Sequence, residues 1–158
     1  MNLSQQVAKH FKELYFGGNW TCVSMKETLG GVTLKEATTK VSSLNTIAVL
    51  VFHMNYYVDA ITQVLQGNPL EAHDKYSFEL PPLQSEEEWQ HMLAKTFTNA
   101  ETLAGLIEQL PEERLWEIFR NDKYGIYYRN LHGLIEHSHY HLGQISLLKK
   151  MIREQVPA

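Results

Sequence analysis

The sequence contains almost no cysteine and no long apolar run. Cys22 is the single cysteine among 158 residues, so an intrachain disulfide is impossible and a thiolate zinc site is excluded. The longest apolar run, Ile47–Phe52, is far too short to cross a bilayer. The segment Met1–Lys12 is polar and lacks the apolar stretch of a signal peptide. We therefore expect a cytoplasmic protein with no membrane partner.

An excess of positive charge is also missing. The formal net charge is -4 at pH 7, and the 14 lysine and arginine residues are scattered along the chain. Phosphate binding needs a concentrated basic patch. The densest basic cluster, Lys149, Lys150 and Arg153, closes a predicted helix, where cations complement the helix dipole. These features argue against nucleic acid as a partner.

The composition that is present is that of one globular domain. Hydrophobic residues make up 44% of the chain and charged residues 20%. A chain of this length buries a sizeable core without disulfides. There is no internal repeat and no low-complexity segment, so the sequence predicts a single domain over residues 1–158.

Helical periodicity recurs in four stretches of the chain. They are Leu3–Phe16, Ser43–Gln66, Ser85–Gln109 and Asn130–Glu154. Ser85 with Glu88 has the spacing of a capping box at a helix start, and Thr33 with Glu36 predicts a further short helix in the same way. Trp116–Tyr128 stays unassigned. The sequence predicts an all-α fold, a four-helix bundle with long crossover connections.

Three of the eight histidines fall on the inward faces of these predicted helices. In the fourth helix His141 lies in the middle of the apolar stripe, and His137 lies about 40° from it on the same half. His139 and His132 point about 160° and 180° away from His141, so we expect them at the surface. His53 lies on the inward side of the second helix, toward the edge of its apolar arc.

Three imidazoles meeting in an apolar interior need polar partners, because an unpaired buried polar group costs about 1–3 kcal/mol. One metal ion satisfies all three, and a histidine pair four residues apart on a helix converges on a single ion. Three protein ligands also leave a coordination position open, which is typical of catalytic sites. The spacing is equally compatible with hydrogen-bonded core histidines or a wet pocket.

A di-iron carboxylate bundle is a second metal hypothesis. Glu88 with His91 and Glu136 with His139 both fit the Glu-x-x-His pattern. Helical phase argues against it, because Glu136 and His139 lie on the outward side of their helix and the second helix contains no glutamate.

The residues around the histidine pair resemble a known family signature. The stretch His137–Ile145 reads HSHYHLGQI, which is similar to the last-helix motif of the DinB superfamily, a histidine pair followed by x-Gly-Gln-Ile. Gly17–Thr21 resembles that family's Gly-x-Trp-Thr segment, and His53 lies where its second helix supplies a ligand. The family pattern maps onto His53, His137 and His141 and onto no other histidine.

This resemblance implies more than the spacing does. DinB-like proteins are four-helix bundles with a long crossover, often homodimers, and hold zinc, nickel or another divalent ion on three histidines. Characterised relatives are transferases and isomerases that use low-molecular-weight thiols such as bacillithiol or mycothiol, and others are described as metal-dependent hydrolases. The resemblance therefore implies a metal-dependent thiol transferase or hydrolase with a small-molecule substrate.

The sequence leaves the catalytic residues open. Tyr57, one turn from His53, and His10 are the candidates to line the site, and no general base is evident. No acidic residue shares the inward arc of the second or fourth helix, so we expect the metal to be held by histidines alone, with an exogenous ligand completing the shell. Gly143 and Gln144 are interpreted as helix-packing positions. The alternative is a non-catalytic metal-binding or small-molecule-binding bundle.

Overall fold

The computed structural model describes residues 1–154, which form six α-helices and two short 3₁₀ helices. The α-helices are α1 (Leu3–Phe16), α2 (Met25–Leu29), α3 (Leu34–Thr38), α4 (Ile47–Leu65), α5 (Glu86–Gln109) and α6 (Tyr127–Glu154). The 3₁₀ helices span Asp74–Phe78 and Glu112–Trp116. These residues contain no β-strand, only an isolated bridge between Ile118 and Ile126. The all-α prediction is confirmed.

The long helices differ from the predicted stretches mainly at their starts. α4 begins at Ile47, four residues later than predicted, because the Thr46 hydroxyl accepts a hydrogen bond from the Val49 amide and caps the helix there. α6 begins at Tyr127, three residues earlier than predicted. The unassigned aromatic segment therefore ends inside α6.

The two predicted capping boxes have different outcomes. At the start of α3, the Thr33 amide donates to the Glu36 carboxylate at 2.8 Å and the Glu36 amide donates to the Thr33 hydroxyl at 3.3 Å. At the start of α5, the Glu88 amide donates to the Ser85 hydroxyl, but the Glu88 carboxylate accepts from the Gln84 amide at 2.6 Å. The first box is confirmed, and the second forms only one of its two bonds.

The core lies between the four long helices. α1 packs against α5 and α6, and α4 packs against the same two helices. The side chains that fill the interior include Phe11 and Leu14 from α1, Met54 from α4, Leu103 from α5 and Leu131 and Ile145 from α6, all at most 1% exposed. None of the described helices is long and apolar enough to span a bilayer.

The connection between α4 and α5 folds back onto α4. Its 3₁₀ helix, Asp74–Phe78, packs directly against α4. The Tyr56 hydroxyl accepts a hydrogen bond from the His73 amide at 2.9 Å, and the Tyr57 hydroxyl donates to the Asp74 carboxylate at 2.6 Å. These bonds hold the connection beside the middle of α4, where His53 lies.

Candidate metal centre

Three histidine side chains converge between α4 and α6. The Nε2 atom of His137 lies 2.9 Å from Nε2 of His53 and 3.0 Å from Nε2 of His141. Nitrogens bound to one ion at about 2.0–2.1 Å lie roughly 2.9–3.4 Å apart. The cluster of His53, His137 and His141 could therefore hold a metal ion.

Helical phase explains why these three histidines meet. His53 lies near the middle of α4, and its side chain is 3% exposed. His137 and His141 are one turn apart on α6, so their side chains point in nearly the same direction. His141 is 7% exposed and His137 is half-buried. The geometry matches the inward positions predicted for all three.

A serine from the connection orients the first ring. The Ser77 hydroxyl donates to the Asp74 carbonyl oxygen at 2.6 Å, so its own oxygen accepts from Nδ1–H of His53 at 2.7 Å. With its proton held on Nδ1, the His53 ring presents an unprotonated Nε2 to the other two rings. Fixing the tautomer through the far nitrogen is the usual way that proteins orient a metal-binding histidine.

Gln144 orients the ring of His141 in the same way. Its side-chain oxygen accepts from Nδ1–H of His141 at 2.7 Å, and its amide donates to the Tyr140 hydroxyl at 3.2 Å. The interpretation of Gln144 as a contact between helices is therefore wrong, because its partners lie on its own helix. Gln144 instead leaves the His141 Nε2 unprotonated and directed at the cluster.

Without a cation, the Nε2 atoms of the cluster cannot all be hydrogen-bonded. His53 and His141 both present unprotonated Nε2 atoms, and His137 carries at most one proton on the Nε2 atom that faces them. One proton cannot satisfy two acceptors fully, and a poorly paired buried nitrogen costs about 1–3 kcal/mol. A single divalent ion accepts all three lone pairs. The donor set therefore fits a metal.

The environment keeps the three imidazoles neutral. Burial, together with the neighbouring charges of His137 and His141, lowers the pKa of His53 to about 4. Burial and the charge of His141 lower the pKa of His137 to about 4, and burial lowers the pKa of His141. The Asp74 carboxylate opposes the shift at His53 and His137 only in part. Neutral imidazole is the form that binds a metal.

Aromatic rings enclose the cluster on the α4 side. The Phe78 ring stacks on His53 with centroids 4.0 Å apart, and the Tyr57 ring meets His53 and His137 edge-on at 5.2 Å. Burial and the hydrogen bond to Asp74 raise the pKa of Tyr57 to about 12. Tyr57 therefore faces the site, as expected from its position one turn from His53. It is protonated and donates to Asp74, so it does not act as a base.

A cavity of about 690 Å³ adjoins the cluster on the side of His137. Tyr57 and Asp74 line it from α4 and the connection, and Tyr124 lines it from the segment before α6. Arg129 lines it from the first turn of α6. The volume is suited to a small molecule, and His137 places one candidate ligand of the metal on its wall.

The remaining histidines near the site stay outside the cluster. His132 is beside Glu136 at 3.3 Å with its side chain 40% exposed, and His139 is half-buried with Nδ1 near the Ile135 carbonyl. His10 is exposed, with its ring centroid 6.0 Å from that of His139. The expectation that His10 lines the cavity is wrong, because it lies on the outer face of α1.

The Glu-x-x-His pairs do not form a second centre. Glu88 is exposed and caps α5, and His91 is exposed on the same helix. Glu136 contacts Arg129 and His132 at the surface. Within residues 1–154, the three-histidine cluster is the one group of histidine, cysteine and acidic side chains with metal-binding spacing. The carboxylate arrangement of a di-iron bundle is therefore not assembled.

Two features of the site differ from the sequence interpretation. A Cβ at Gly143 would meet no atom within 4 Å, so this glycine does not serve a close helix contact. Ser77 and Asp74 were not identified from the sequence. They lie in a connection without periodicity, where no spacing rule predicts direction.

Comparisons with known proteins found no relative of this chain. No protein-family model matches the chain, and neither a curated protein nor a solved structure matches it significantly.

Proposed function

We propose that the chain is a DinB-like four-helix bundle with long crossover connections that binds one divalent metal ion, zinc or nickel. His53, His137 and His141 would be its ligands, each through Nε2. The observation that carries the proposal is the orientation of two rings, whose Nδ1–H groups are held by Ser77 and Gln144. That arrangement directs unprotonated nitrogens at one point, which is the requirement of a metal and not of a hydrogen-bonded core.

We propose further that the protein is a metal-dependent enzyme, a thiol transferase or hydrolase. Among the described residues no carboxylate or thiolate joins the three histidines, and Cys22 is exposed in the loop between α1 and α2. Three neutral ligands leave a divalent ion its full charge and an open position, so a thiol or water bound there has a lowered pKa.

Residues at the cavity wall support a bound small molecule. The Tyr57 hydroxyl is held by Asp74 at 2.6 Å beside the candidate ligand His137. At neutral pH Tyr57 stays protonated and donates its single proton to Asp74, so the Tyr57 oxygen can accept a hydrogen bond from an N–H or O–H group of a ligand in the cavity. Phe78 covers the His53 ring and restricts the approach of water from that side.

A non-catalytic metal-binding or small-molecule-binding bundle is the second candidate. It is favoured by the state of the polar groups at the wall, because Tyr57 keeps its proton and the Asp74 carboxylate is occupied by Tyr57. Both candidates share the metal centre and differ in whether the ligand is turned over. Homodimer formation, a cytoplasmic location and the absence of a nucleic-acid partner remain predictions.

The open position is tested with cobalt. We expect that adding a low-molecular-weight thiol to the cobalt-substituted protein produces a new sulfur-to-cobalt absorption band, because the open position accepts thiolate. The control variant, His139→Ala, has an intact cluster and should give the same band. A visible spectrum that does not respond to thiols would shift the assignment to the non-catalytic bundle.

A further inference from the structure

Arg129, Gly133 and His137 form one row along α6. They are spaced four residues apart, so their side-chain positions follow one another on the same side of the helix. All three line the cavity beside the cluster. The row therefore runs from the candidate metal ligand to an arginine, with a glycine between them.

The glycine provides the space in which the arginine lies. A Cβ built on Gly133 would fall 2.7 Å from Nη1 of Arg129, so the guanidinium occupies the volume that any other residue would fill. Glycine is a poor residue for the interior of a helix. Gly133 is one turn, about 6 Å along the helix axis, from His137. The guanidinium is thus brought toward the cluster and not away from it.

The Arg129 guanidinium has N–H donors available for a ligand. Its one ion-pair contact is with Glu136 at 3.4 Å, between side chains that are 66% and 58% exposed, and such pairs are weak. Arginine carries five N–H donors in a planar fork that matches a carboxylate. Asp122 and Lys123 also line the cavity, and they are chain neighbours whose charges offset each other. Arg129 is therefore the cationic group best placed for an anion in this cavity.

We propose that the cavity binds a small molecule with a carboxylate at one end, which Arg129 recognises, and a metal-binding group at the other. This inference rests on the proposed function, since the second end would lie at the metal position beside His137. Gly133 keeps the path between the two ends free of a side chain. The ligand class is a small acid long enough to reach from the metal position across one turn of α6.

The test compares matched thiols by calorimetry on the zinc-loaded full chain. The probes are mercaptohexanoate against mercaptohexanol, with mercaptopropionate against mercaptopropanol as the shorter pair. We expect mercaptohexanoate to bind about tenfold more tightly than its alcohol at low ionic strength, because a charge-assisted bidentate contact has about that worth. The shorter acid should show a smaller advantage.

Substitutions at Arg129 and Gly133 test whether these residues cause the difference in affinity between acid and alcohol. Arg129→Gln should bring the ratio of the two dissociation constants to about one, whereas Lys150→Gln, an exposed cation near the other end of α6, should leave it unchanged. Gly133→Ala should reduce the ratio by displacing the guanidinium. Gly105→Ala is its control, because a Cβ at that helical glycine meets nothing within 4 Å. Circular dichroism verifies that each variant is folded.

The outcomes separate this inference from the proposed function. Equal affinities for acid and alcohol in the unaltered protein, or an acid advantage that survives Arg129→Gln, would overturn the inference. If the uncharged thiol still changes the cobalt spectrum in that case, the metal centre stands without the carboxylate subsite. If the acid binds more tightly than the alcohol only when Arg129 is present, but no thiol changes the cobalt spectrum, the carboxylate subsite is supported and a thiol–metal bond is excluded. Absence of binding by all four probes would overturn the inference and shift the proposed function to the non-catalytic bundle, while the metal centre would still be decided by its metal content.

Discussion

Replacing His141 by alanine is expected to lower metal affinity by more than about a hundredfold, because loss of an outer-sphere partner alone costs up to that much. His139→Ala should leave affinity nearly unchanged. The two histidines are two positions apart on α6, yet Nε2 of His141 lies 3.0 Å from Nε2 of His137, whereas His139 is directed at the Ile135 carbonyl. Zinc affinity is measured by competition with a chromophoric chelator.

The comparison of metal affinity between the His139 and His141 variants requires a check that both variants are folded. His141 is buried, so its truncation also leaves a cavity. His141→Gln, which keeps more of the side-chain volume, should lose metal to a similar extent while unfolding at a temperature closer to that of the unaltered protein. Equal metal loss in the His139 and His141 variants would show that helical phase does not decide the ligands.

The metal-free protein is expected to lose stability steeply as the pH falls from about 6.5 toward 4. The pKa values of His53 and His137 are about 4 in the folded chain, against an ordinary value of 6.5. Between these values the unfolded chain binds more protons, so the free energy of unfolding decreases as pH falls. Each unit of pKa difference corresponds to about 1.4 kcal/mol. Because the charge of His137 lowers the pKa of His53, the two shifts do not add in full, and we expect a loss of several kcal/mol for the pair.

Thermal unfolding of the chelator-treated protein across this pH window measures the effect. Carboxylates also titrate near its lower end, so the informative comparison is with His137→Gln. That variant removes one of the two imidazoles with a lowered pKa and should show a flatter dependence of the unfolding midpoint on pH. Parallel curves for the two proteins would mean that the cluster is hydrated and titrates like exposed histidine.

Helical phase made the three-histidine cluster predictable from the sequence. Each of His53, His137 and His141 lies on a helix long enough for the angular position of every residue to be counted, and the counted inward positions are the observed ones. The same arithmetic placed His132 and His139 outside the cluster. The prediction of the histidine positions succeeded because, on a long helix, residue number determines the direction of the side chain.

The residues that complete the site follow no such geometry. Ser77 and Asp74 belong to a 3₁₀ helix of five residues, whose position depends on how a long connection folds back onto α4. α2, also five residues, is too short to show periodicity and was not predicted, although Ser24 caps it. Gln144 was interpreted as a helix-packing position, although its spacing of three residues from His141 allows the two side chains to meet on α6.

The central claim is that His53, His137 and His141 hold one divalent ion per chain, and the most direct measurement is elemental analysis of the protein purified without added metal. The expected result is close to one equivalent of zinc or nickel per chain, because His53 and His141 are preoriented and, with His137, direct three neutral nitrogens at one point. A protein that contains no metal and takes up none on incubation with zinc or nickel salts would contradict the claim. Two equivalents per chain would contradict it equally, since the described residues bring together one cluster only.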